Sequence, residues 1–189
     1  MDATDTAAAL ARARHGDADA FRALVDRHSR RVFQLAFRMT GNEQDAEDIV
    51  QESFLRAYRQ LGRFEARANF GTWLYRIVAN CAVDFMRTKW HRHERANRDA
   101  GDGWMETMAT ELPGPERLAE SAEIERRVAA ALDALSPLER AAFTLRHYEG
   151  RSIEDIGHTL HLGTSATKHS VFRAVRKLRA ALEPLRHSS

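Results

Sequence analysis

Apolar residues recur at helical spacing along most of the chain, and this periodicity limits the possible folds more than any other feature of the sequence. Val171, Val175, Leu178 and Leu182, for example, are separated by four, three and four residues, which places them on one face of a helix. The alternation of polar and apolar residues that marks half-buried strands is nearly absent from the sequence. The sequence therefore predicts an all-α protein.

Three helices are predicted in the N-terminal half. The first covers about 17–40 and the second about 44–61, and each is followed by a glycine that stops it. The third lies within 67–92, with Thr72 as its predicted N-cap. The single cysteine, Cys81, falls on the apolar stripe of this third helix, so it is predicted to be a buried structural thiol. The three helices are expected to share one core.

The periodic pattern lapses between 97 and 118, where Asp, Gly, Glu and two prolines replace the apolar residues. This composition predicts a flexible linker between two small helical domains at 1–96 and 119–189. Trp104 and Met105 are unusual in a solvated spacer. The sequence leaves open whether they dock on another surface or collapse locally.

Two helix-start signals mark the C-terminal domain. The sequence SPLE at 136–139 has the form of a capping box, and SIED at 152–155 repeats it with an aspartate. The second signal opens a short helix that is broken at 161–163, and a longer helix follows, capped by Thr164 or Ser165. A short helix, a tight turn with glycine and a longer helix predict a helix-turn-helix.

The last predicted helix carries segregated positive charge. From 164 to 180 there are five Lys and Arg residues and no acidic one. Such a helix can enter a major groove, with Ser165, Lys168, His169 and Ser170 near the base edges and later basic residues near phosphates. The alternative is a solvated basic face on an ordinary bundle helix, which explains the charge but not the adjacent turn.

A second charge cluster has the opposite sign. Between Met39 and Leu55 five acidic residues occur without a single Lys or Arg. Carboxylates stabilise the first turn of a helix, but Asp48 and Glu52 lie too far along the helix for that effect. Because an acidic surface repels DNA, this cluster is predicted to face a basic protein surface.

The third helix has a polar outer face. If its apolar stripe points inward, Arg76, Asn80 and Arg87 fall on the opposite side. A basic track with Trp90 inside it continues the helix, and a loop at 64–70 with an aromatic at each end precedes it. Amide, aromatic and guanidinium groups suit an unpaired nucleotide strand. The pattern is equally compatible with Asn80 as a surface residue that has no role.

Three motifs, in this order along the chain, carry a resemblance to a known family. DAEDIVQESFLRAYR at 45–59 is followed after a short gap by TWLYRIVAN at 72–80, and then by ALSPLERAAFTLRHYEGRSIEDIGHTL at 134–160 and a basic helix. From about residue 19 to residue 182 the chain resembles an extracytoplasmic-function (ECF) sigma factor, the small two-domain class of bacterial transcription initiation subunit.

The resemblance implies a partner for the acidic helix. In such factors this helix binds a coiled-coil clamp on the β′ subunit of core RNA polymerase, and the C-terminal domain contacts the β flap. The candidate core-polymerase contacts implied here are Asp45, Glu47, Asp48, Gln51 and Phe54.

The resemblance also implies two contacts with promoter DNA. The loop before TWLYRI captures a base flipped from the non-template strand of the minus-10 element, with Asn80 as the matching residue that reads it, and the last helix reads the minus-35 duplex. The candidate minus-10 contacts are Phe64, Arg67, Asn69, Phe70, Arg76, Asn80, Arg87, Lys89 and Arg92. The candidate minus-35 contacts are Ser165, Thr167, Lys168, His169, Ser170, Phe172, Arg173, Arg176 and Lys177.

Two segments depart from the commonest pattern of the family. The last helix reads SATKHSVFRA where many relatives read GTVRSRIFRA, so a minus-35 sequence preference does not transfer. The loop sequence EARANF also differs from the usual glycine- and serine-containing form, which leaves the identity of the captured base open.

Other functions are predicted less strongly. A helix-turn-helix regulator that is not a polymerase subunit would explain 152–182, but neither the acidic helix nor Asn80 beside a basic aromatic track. No catalytic triad order, phosphate loop or metal-ligand spacing is visible, so neither an enzyme nor a metal or cofactor is expected. The resemblance makes an anti-sigma factor a typical partner. Without a membrane span or secretory signal in the sequence, a cytoplasmic location is expected.

Overall fold

The structure is a computed structural model and describes residues 3–64, 69–99 and 117–183. Within these ranges every regular element is helical, which confirms the predicted all-α fold. The helices are α1 Ala3–Arg14, α2 Ala18–Thr40, α3 Glu43–Gln60, α4 Phe70–Asp99, α5 Arg117–Asp133, α6 Pro137–Phe143, α7 Ile153–Leu160 and α8 Thr164–Leu182, with a 3-10 turn at Leu61–Arg63 and a π turn at Thr144–Tyr148.

Residue contacts divide the chain into two compact units, Met1–Phe85 and Met86–Ser189. The predicted linker at 97–118 has helical residues at both ends, because α4 continues to Asp99 and α5 begins at Arg117. Trp104 and Met105 lie outside the described residues. The domain boundaries at 96 and 119 stay predictions.

Helix α1 is an element that the apolar periodicity did not predict. Its sequence is dominated by alanine, which favours a helix by propensity but gives a weak apolar stripe. Leu10 and Ala13 are nevertheless buried, and the helix packs against α2. Its small apolar side chains therefore add to the core of the N-terminal unit.

Short polar caps set the tight connection between α2 and α3. Asp17 is the N-cap of α2, and its side chain accepts a hydrogen bond from the amide of Ala20 at 2.9 Å. Gly41 is the C-cap and adopts the left-handed conformation with φ of 71°. The next residue, Asn42, caps α3 by accepting from the amide of Asp45 at 2.9 Å. The two helices therefore turn back on each other within two residues and pack together.

The core of the N-terminal unit contains the apolar stripes of α2, α3 and α4. Almost fully buried in it are Leu24, Leu35, Met39, Ile49, Leu74 and Val78. Cys81 is buried as well, which confirms the predicted structural thiol, and burial raises the pKa of this thiol.

The predicted N-cap of α4 is wrong. The helix begins at Phe70 rather than after Thr72, and it is the Asn69 side chain that accepts the amide hydrogen of Thr72, at 3.3 Å. The helix starts earlier because Asn69, three residues before Thr72, accepts an amide hydrogen of the first turn.

Both capping boxes of the C-terminal unit are confirmed. The Ser136 amide donates to Glu139 at 2.9 Å, and the Glu139 amide donates back to the Ser136 hydroxyl at 3.4 Å. Ser152 and Asp155 make the same reciprocal pair at the start of α7. These caps fix where α6 and α7 begin, and both helices pack against α8.

The turn between α7 and α8 is close-packed. His161 takes the left-handed conformation with φ of 55°, and a Cβ at Gly157 would lie 2.8 Å from the carbonyl oxygen of Leu162. Only glycine fits that position without a shift of the backbone. The predicted cap of α8 is wrong, because Gly163 is the N-cap and no side chain caps this helix.

Candidate nucleic-acid and protein interfaces

The outer face of α8 displays most of the residues predicted to contact duplex DNA. Ser165, Lys168, His169, Phe172 and Arg176 are all exposed, and their spacing keeps them on one side of the helix. Phe172 is 63% exposed, an unusual position for a large apolar side chain. This face combines positive charge with one apolar group.

Two predicted duplex contacts on α8 are buried, so their assignment to the surface is wrong. Thr167 is fully buried and its hydroxyl donates to the carbonyl oxygen of Gly163 at 3.0 Å. Ser170 is also buried. Both share the inner face of the helix with Ala174 and Leu178, which belong to the core of the C-terminal unit.

Two further candidates on α8, Arg173 and Lys177, are already paired within the protein. The Nζ of Lys177 lies 2.7 Å from Oε2 of Glu139, and the Nε of Arg173 lies 3.4 Å from Oε1. Glu139 is a buried residue of α6. These two cations therefore connect α8 to α6 instead of simply projecting into solvent.

Glu139 is held in its ionised form by its partners. Burial of the carboxyl by itself raises its pKa, but the hydrogen bonds from Lys177 and from the Ser136 amide outweigh that effect, and the net pKa is lowered. The carboxylate is therefore charged near neutral pH and can form ion pairs with Arg173 and Lys177.

The acidic helix α3 presents its predicted charges to solvent. Glu47, Asp48 and Gln51 are exposed, and Asp45 is partly exposed. Phe54 is only 8% exposed, so its assignment as a surface contact is wrong: it packs into the core of the N-terminal unit.

A residue that sequence reasoning missed takes the place of Phe54 at the surface. Leu55 is 45% exposed, and it follows Asp48 by seven residues and Gln51 by four, which places all three on one helical face. The helical register gave this signal, since a buried residue at 54 requires position 55 to turn outward. An exposed apolar side chain next to an acidic surface suits a protein partner better than a nucleic acid.

Glu52 is an acidic residue of α3 that the helix dipole does not explain. Its carboxylate accepts from Arg56 Nε at 2.7 Å, and Arg56 also reaches Asp84 on α4 at 3.2 Å. Glu52 therefore helps to join α3 to α4, and the negative charge on the exposed face of α3 comes from the residues that precede it.

The outer face of α4 is polar, as predicted. Arg76 is exposed and Asn80 is partly exposed, with the Asn80 side-chain amide donating to the Arg76 carbonyl oxygen at 2.9 Å. This bond to the preceding turn orients Asn80. Further along the helix the predicted contacts Arg87, Lys89 and Arg92 are exposed, as is Trp90.

The two aromatics of the loop before α4 are buried, so the prediction that they are offered for stacking on a nucleotide is wrong for this structure. Phe64 and Phe70 are each about as buried as core residues, and their rings pack against Trp73, with centroids 4.9 Å and 5.6 Å away. This aromatic cluster supports the loop. Arg67 lies outside the described residues, and Asn69 is exposed.

A histidine from α2 packs beneath the start of α4. The ring of His28 lies 5.3 Å from that of Phe70, and a Cβ at Gly71 would approach Cε1 of His28 to 3.3 Å. Burial, with further contributions from Arg27 and Arg31, lowers the pKa of His28. The imidazole is therefore favoured in its neutral form, as an apolar packing surface requires.

The described ranges contain neither a metal-binding cluster nor a membrane-spanning helix. No group of three or more His, Cys, Asp or Glu side chains in these ranges is arranged to hold a metal ion. No helix in the same ranges is both long and apolar enough to cross a membrane.

Comparison with known families assigns both units. The family model of sigma-70 region 2 matches residues 24–92, and that of sigma-70 region 4 matches residues 125–178. The first match contains α3 and the outer face of α4, and the second contains α8 up to Leu178.

Individual relatives extend the likeness over most of the chain. The ECF RNA polymerase sigma factor SigE of Mycolicibacterium smegmatis is 36% identical over 88% of this chain, which spans 62% of that relative's length. The RNA polymerase sigma-H factor of Pseudomonas aeruginosa is 33% identical over 92% of each chain. This chain therefore belongs to the extracytoplasmic-function class of the sigma-70 family.

A solved structure is similar to this chain over most of its length. CnrH, in complex with the cytosolic domain of CnrY, is 28% identical, with coverage of 95% of this chain and 98% of that one and a TM-score of 0.60.

Proposed function

We propose that this chain binds core RNA polymerase, recognises the minus-35 and minus-10 elements of promoters, and promotes their opening to initiate transcription. The observation that carries the proposal is the separation of charge between the two matched regions. An exposed acidic face lies on α3 and an exposed basic face on α8. One sign suits a protein and the other suits a nucleic acid.

The polymerase-binding surface is proposed to be the outer face of α3. Asp45, Glu47, Asp48 and Gln51 would meet the basic clamp of the β′ subunit, with Leu55 as the apolar anchor. Charge at the rim of an interface steers association, while a desolvated apolar centre supplies much of the affinity. The C-terminal unit is proposed to contact the β flap.

The outer face of α4 is proposed to hold the opened minus-10 element. Asn80 carries amide groups that can read a pairing edge, and its bond to the Arg76 carbonyl fixes its position. Arg76, Asn69 and the basic residues after Phe85 would contact the strand. Phe64 and Phe70 are proposed to support the loop from within and not to stack on the base.

The minus-35 element is proposed to bind the outer face of α8. Lys168, His169 and Phe172 lie near the N-terminal end of the helix, where residues of a recognition helix reach the base edges. Ser165 precedes them, and Arg176 follows in a position suited to a phosphate. Thr167 and Ser170 are buried and are therefore not proposed to contact DNA.

The chain is further proposed to act in the cytoplasm as a polymerase subunit and not as an enzyme. An anti-sigma factor is a proposed partner. The family resemblance is the ground for this partner, and the similar protein CnrH was solved in complex with the cytosolic domain of CnrY. A partner of this kind would prevent core-polymerase binding by covering one of the surfaces above.

Initiation in a purified system tests the proposal. The chain would be added to core RNA polymerase and fragments of bacterial genomic DNA, and the 5′ ends of the transcripts would be mapped. We expect recurrent start sites that share two upstream sequence elements. Transcription no different from that of core polymerase alone would contradict the proposal.

Asn80→Ala tests the minus-10 site separately. Because Asn80 would act only on opened DNA, the substitution is expected to reduce open-complex formation, measured by permanganate reactivity of unpaired thymines, by about tenfold. Its affinity for core polymerase should match that of the wild type. Equal losses in both measurements would contradict the role.

A further inference from the structure

The carboxylate of Glu139 divides the basic residues of α8 into two kinds. Lys168 and Arg176 are exposed on the outer face, whereas Arg173 and Lys177 are within ion-pair distance of Glu139, at 3.4 Å and 2.7 Å. The side chain of Glu139 is only 5% exposed. A charge-only interpretation of α8 counts these cations as equivalent, and the structure shows that they are not.

The position of Glu139 is fixed from behind. Its Oε2 also accepts the amide hydrogen of Ser136 at 2.9 Å, as part of the capping box of α6. The Glu139 carboxylate therefore caps the start of α6 and at the same time pairs with two basic side chains of α8.

We propose that Glu139 is a positioning residue of the duplex-binding surface, which holds Arg173 at the edge of the outer face of α8 so that its Nη groups are directed to a phosphate. This inference rests on the proposed function of α8. The contact to Glu139 uses Nε of Arg173, and a guanidinium keeps its remaining N–H donors for a second acceptor. Arg173 is 55% exposed, so those donors can be reached.

A carboxylate is needed at this place because the two cations lie one helical turn apart. Like charges at this spacing repel each other, and without Glu139 both side chains would spread over many rotamers. Ordering a long side chain on binding costs conformational entropy. A side chain that is already held loses less entropy when it meets a phosphate.

Lys177 has a different part in the arrangement. Its Nζ makes the shorter of the two contacts with Glu139, and it lies one turn beyond Arg173. Lys177 therefore connects α8 to α6 and is not expected to contact DNA.

Charge alone predicts the opposite effect on DNA binding. A carboxylate near a duplex repels phosphates, so its removal would strengthen binding if Glu139 acted only through its charge. Removal weakens binding if Glu139 acts by holding Arg173. The sign of the change therefore distinguishes the two roles.

The test measures binding of the full chain to a short fluorescent duplex of random sequence over a range of salt concentrations. Glu139→Gln keeps an acceptor for the Ser136 amide and removes the charge. We expect the dissociation constant to rise about fivefold and the salt slope to become shallower by about one. Arg173→Met should give the same change, and the double variant should bind no more weakly than Arg173→Met alone.

Glu139→Asp provides a second variant if the first is unstable. Asp155 fills the equivalent position in the capping box of α7, so an aspartate at 139 keeps both the cap and the charge while it withdraws the carboxylate from Arg173. It should also bind more weakly with a shallower slope. Binding by either variant that is unchanged or tighter, or losses that multiply in the double variant, would overturn the inference.

Lys168→Met separates this inference from the proposed function. If that substitution leaves duplex binding unchanged, α8 is not the duplex-binding surface and both proposals fail. If Lys168→Met weakens binding and neither Glu139 variant does, only the positioning role fails. Far-ultraviolet circular dichroism would verify that each variant keeps the helical content of the wild type.

Discussion

Helices α3 and α8 are both amphipathic and both carry segregated charge, yet they differ in how that charge is used. The acidic candidates on α3 lie on its solvent side, and the neighbouring Glu52 pairs with Arg56 of the same helix. On α8 two of the cations are held by a buried carboxylate from another helix. Net charge along a helix therefore identifies the kind of partner, while only tertiary contacts show which charges can reach it.

The two helices also differ in which residue types reach the surface. On α3 the apolar Leu55 is exposed and its neighbour Phe54 is buried; on α8 the apolar Phe172 is exposed and the polar Thr167 and Ser170 are buried. Helical register decides these positions more strongly than side-chain polarity does. Exposed apolar groups at the centre of a charged face are then the residues to test first.

Alanine substitutions at Phe54 and Leu55 are expected to have the largest effects, one on stability and the other on core-polymerase binding. Phe54→Ala should lower the free energy of unfolding by about 3 kcal/mol because it leaves a cavity in the core. Leu55→Ala should leave unfolding nearly unchanged and weaken core-polymerase binding instead. Chemical denaturation and a core-polymerase titration would be measured on both variants, and a reversed pattern would show that the register is wrong.

Charge reversal on α3 is expected to have the next largest effect. Asp48→Lys places a cation against a basic partner and should weaken core-polymerase binding by about 2 kcal/mol, while duplex DNA binding stays unchanged. Asp26→Lys, at an exposed acidic position of α2, is the matched control. An equal loss in both variants would mean that total charge matters and the α3 face does not.

The two lysines of α8 are expected to give smaller and opposite results. Lys168→Met should weaken duplex binding by about 1 kcal/mol with a shallower salt slope, and should not alter stability. Lys177→Met should lower the free energy of unfolding by about 1 kcal/mol, because it removes a partner from a buried carboxylate, and should keep the salt slope. Identical salt slopes in the two variants would contradict the assignment of Lys168 to DNA contact and of Lys177 to the pairing with Glu139.

The smallest effect is expected for the loss of folded-state stability when Glu139 is protonated at low pH. Because the pKa of Glu139 in the folded chain is below its ordinary value of 4.5, the stability it contributes is complete above that pH and is lost as the pH falls through the lower folded-state pKa. Thermal melts of the wild type and Glu139→Gln between neutral and acid pH would be compared. The variant should lose less stability on acidification, and parallel losses would contradict the ionised, paired state.

Much of the fold could be predicted from periodicity and capping chemistry. The capping boxes at Ser136 and Ser152 were predicted correctly because each is a local hydrogen-bond pattern that four residues define. The caps predicted at Thr72 and at Thr164 or Ser165 were wrong because a residue type that can cap a helix does not show which of several neighbours does so. The Asn69 side chain accepts the first-turn amide hydrogen of α4, and the N-cap of α8 is Gly163.

The candidate sites were predicted less completely than the fold. Burial of Phe64 and Phe70 depends on contacts with Trp73 and His28, and His28 is distant in sequence, so the aromatic loop could not be distinguished from an exposed stacking surface. The pairing of Glu139 with Lys177 likewise joins residues that are 38 positions apart. Such contacts follow from tertiary packing and leave no short-range signal.

Association with core RNA polymerase tests the central claim most directly. The purified chain would be titrated into bacterial core polymerase that lacks its own specificity subunit, and complex formation would be followed by a change in fluorescence anisotropy. A saturable one-to-one complex that Asp48→Lys weakens is the predicted result. No association under conditions where the same preparation binds duplex DNA would contradict the account.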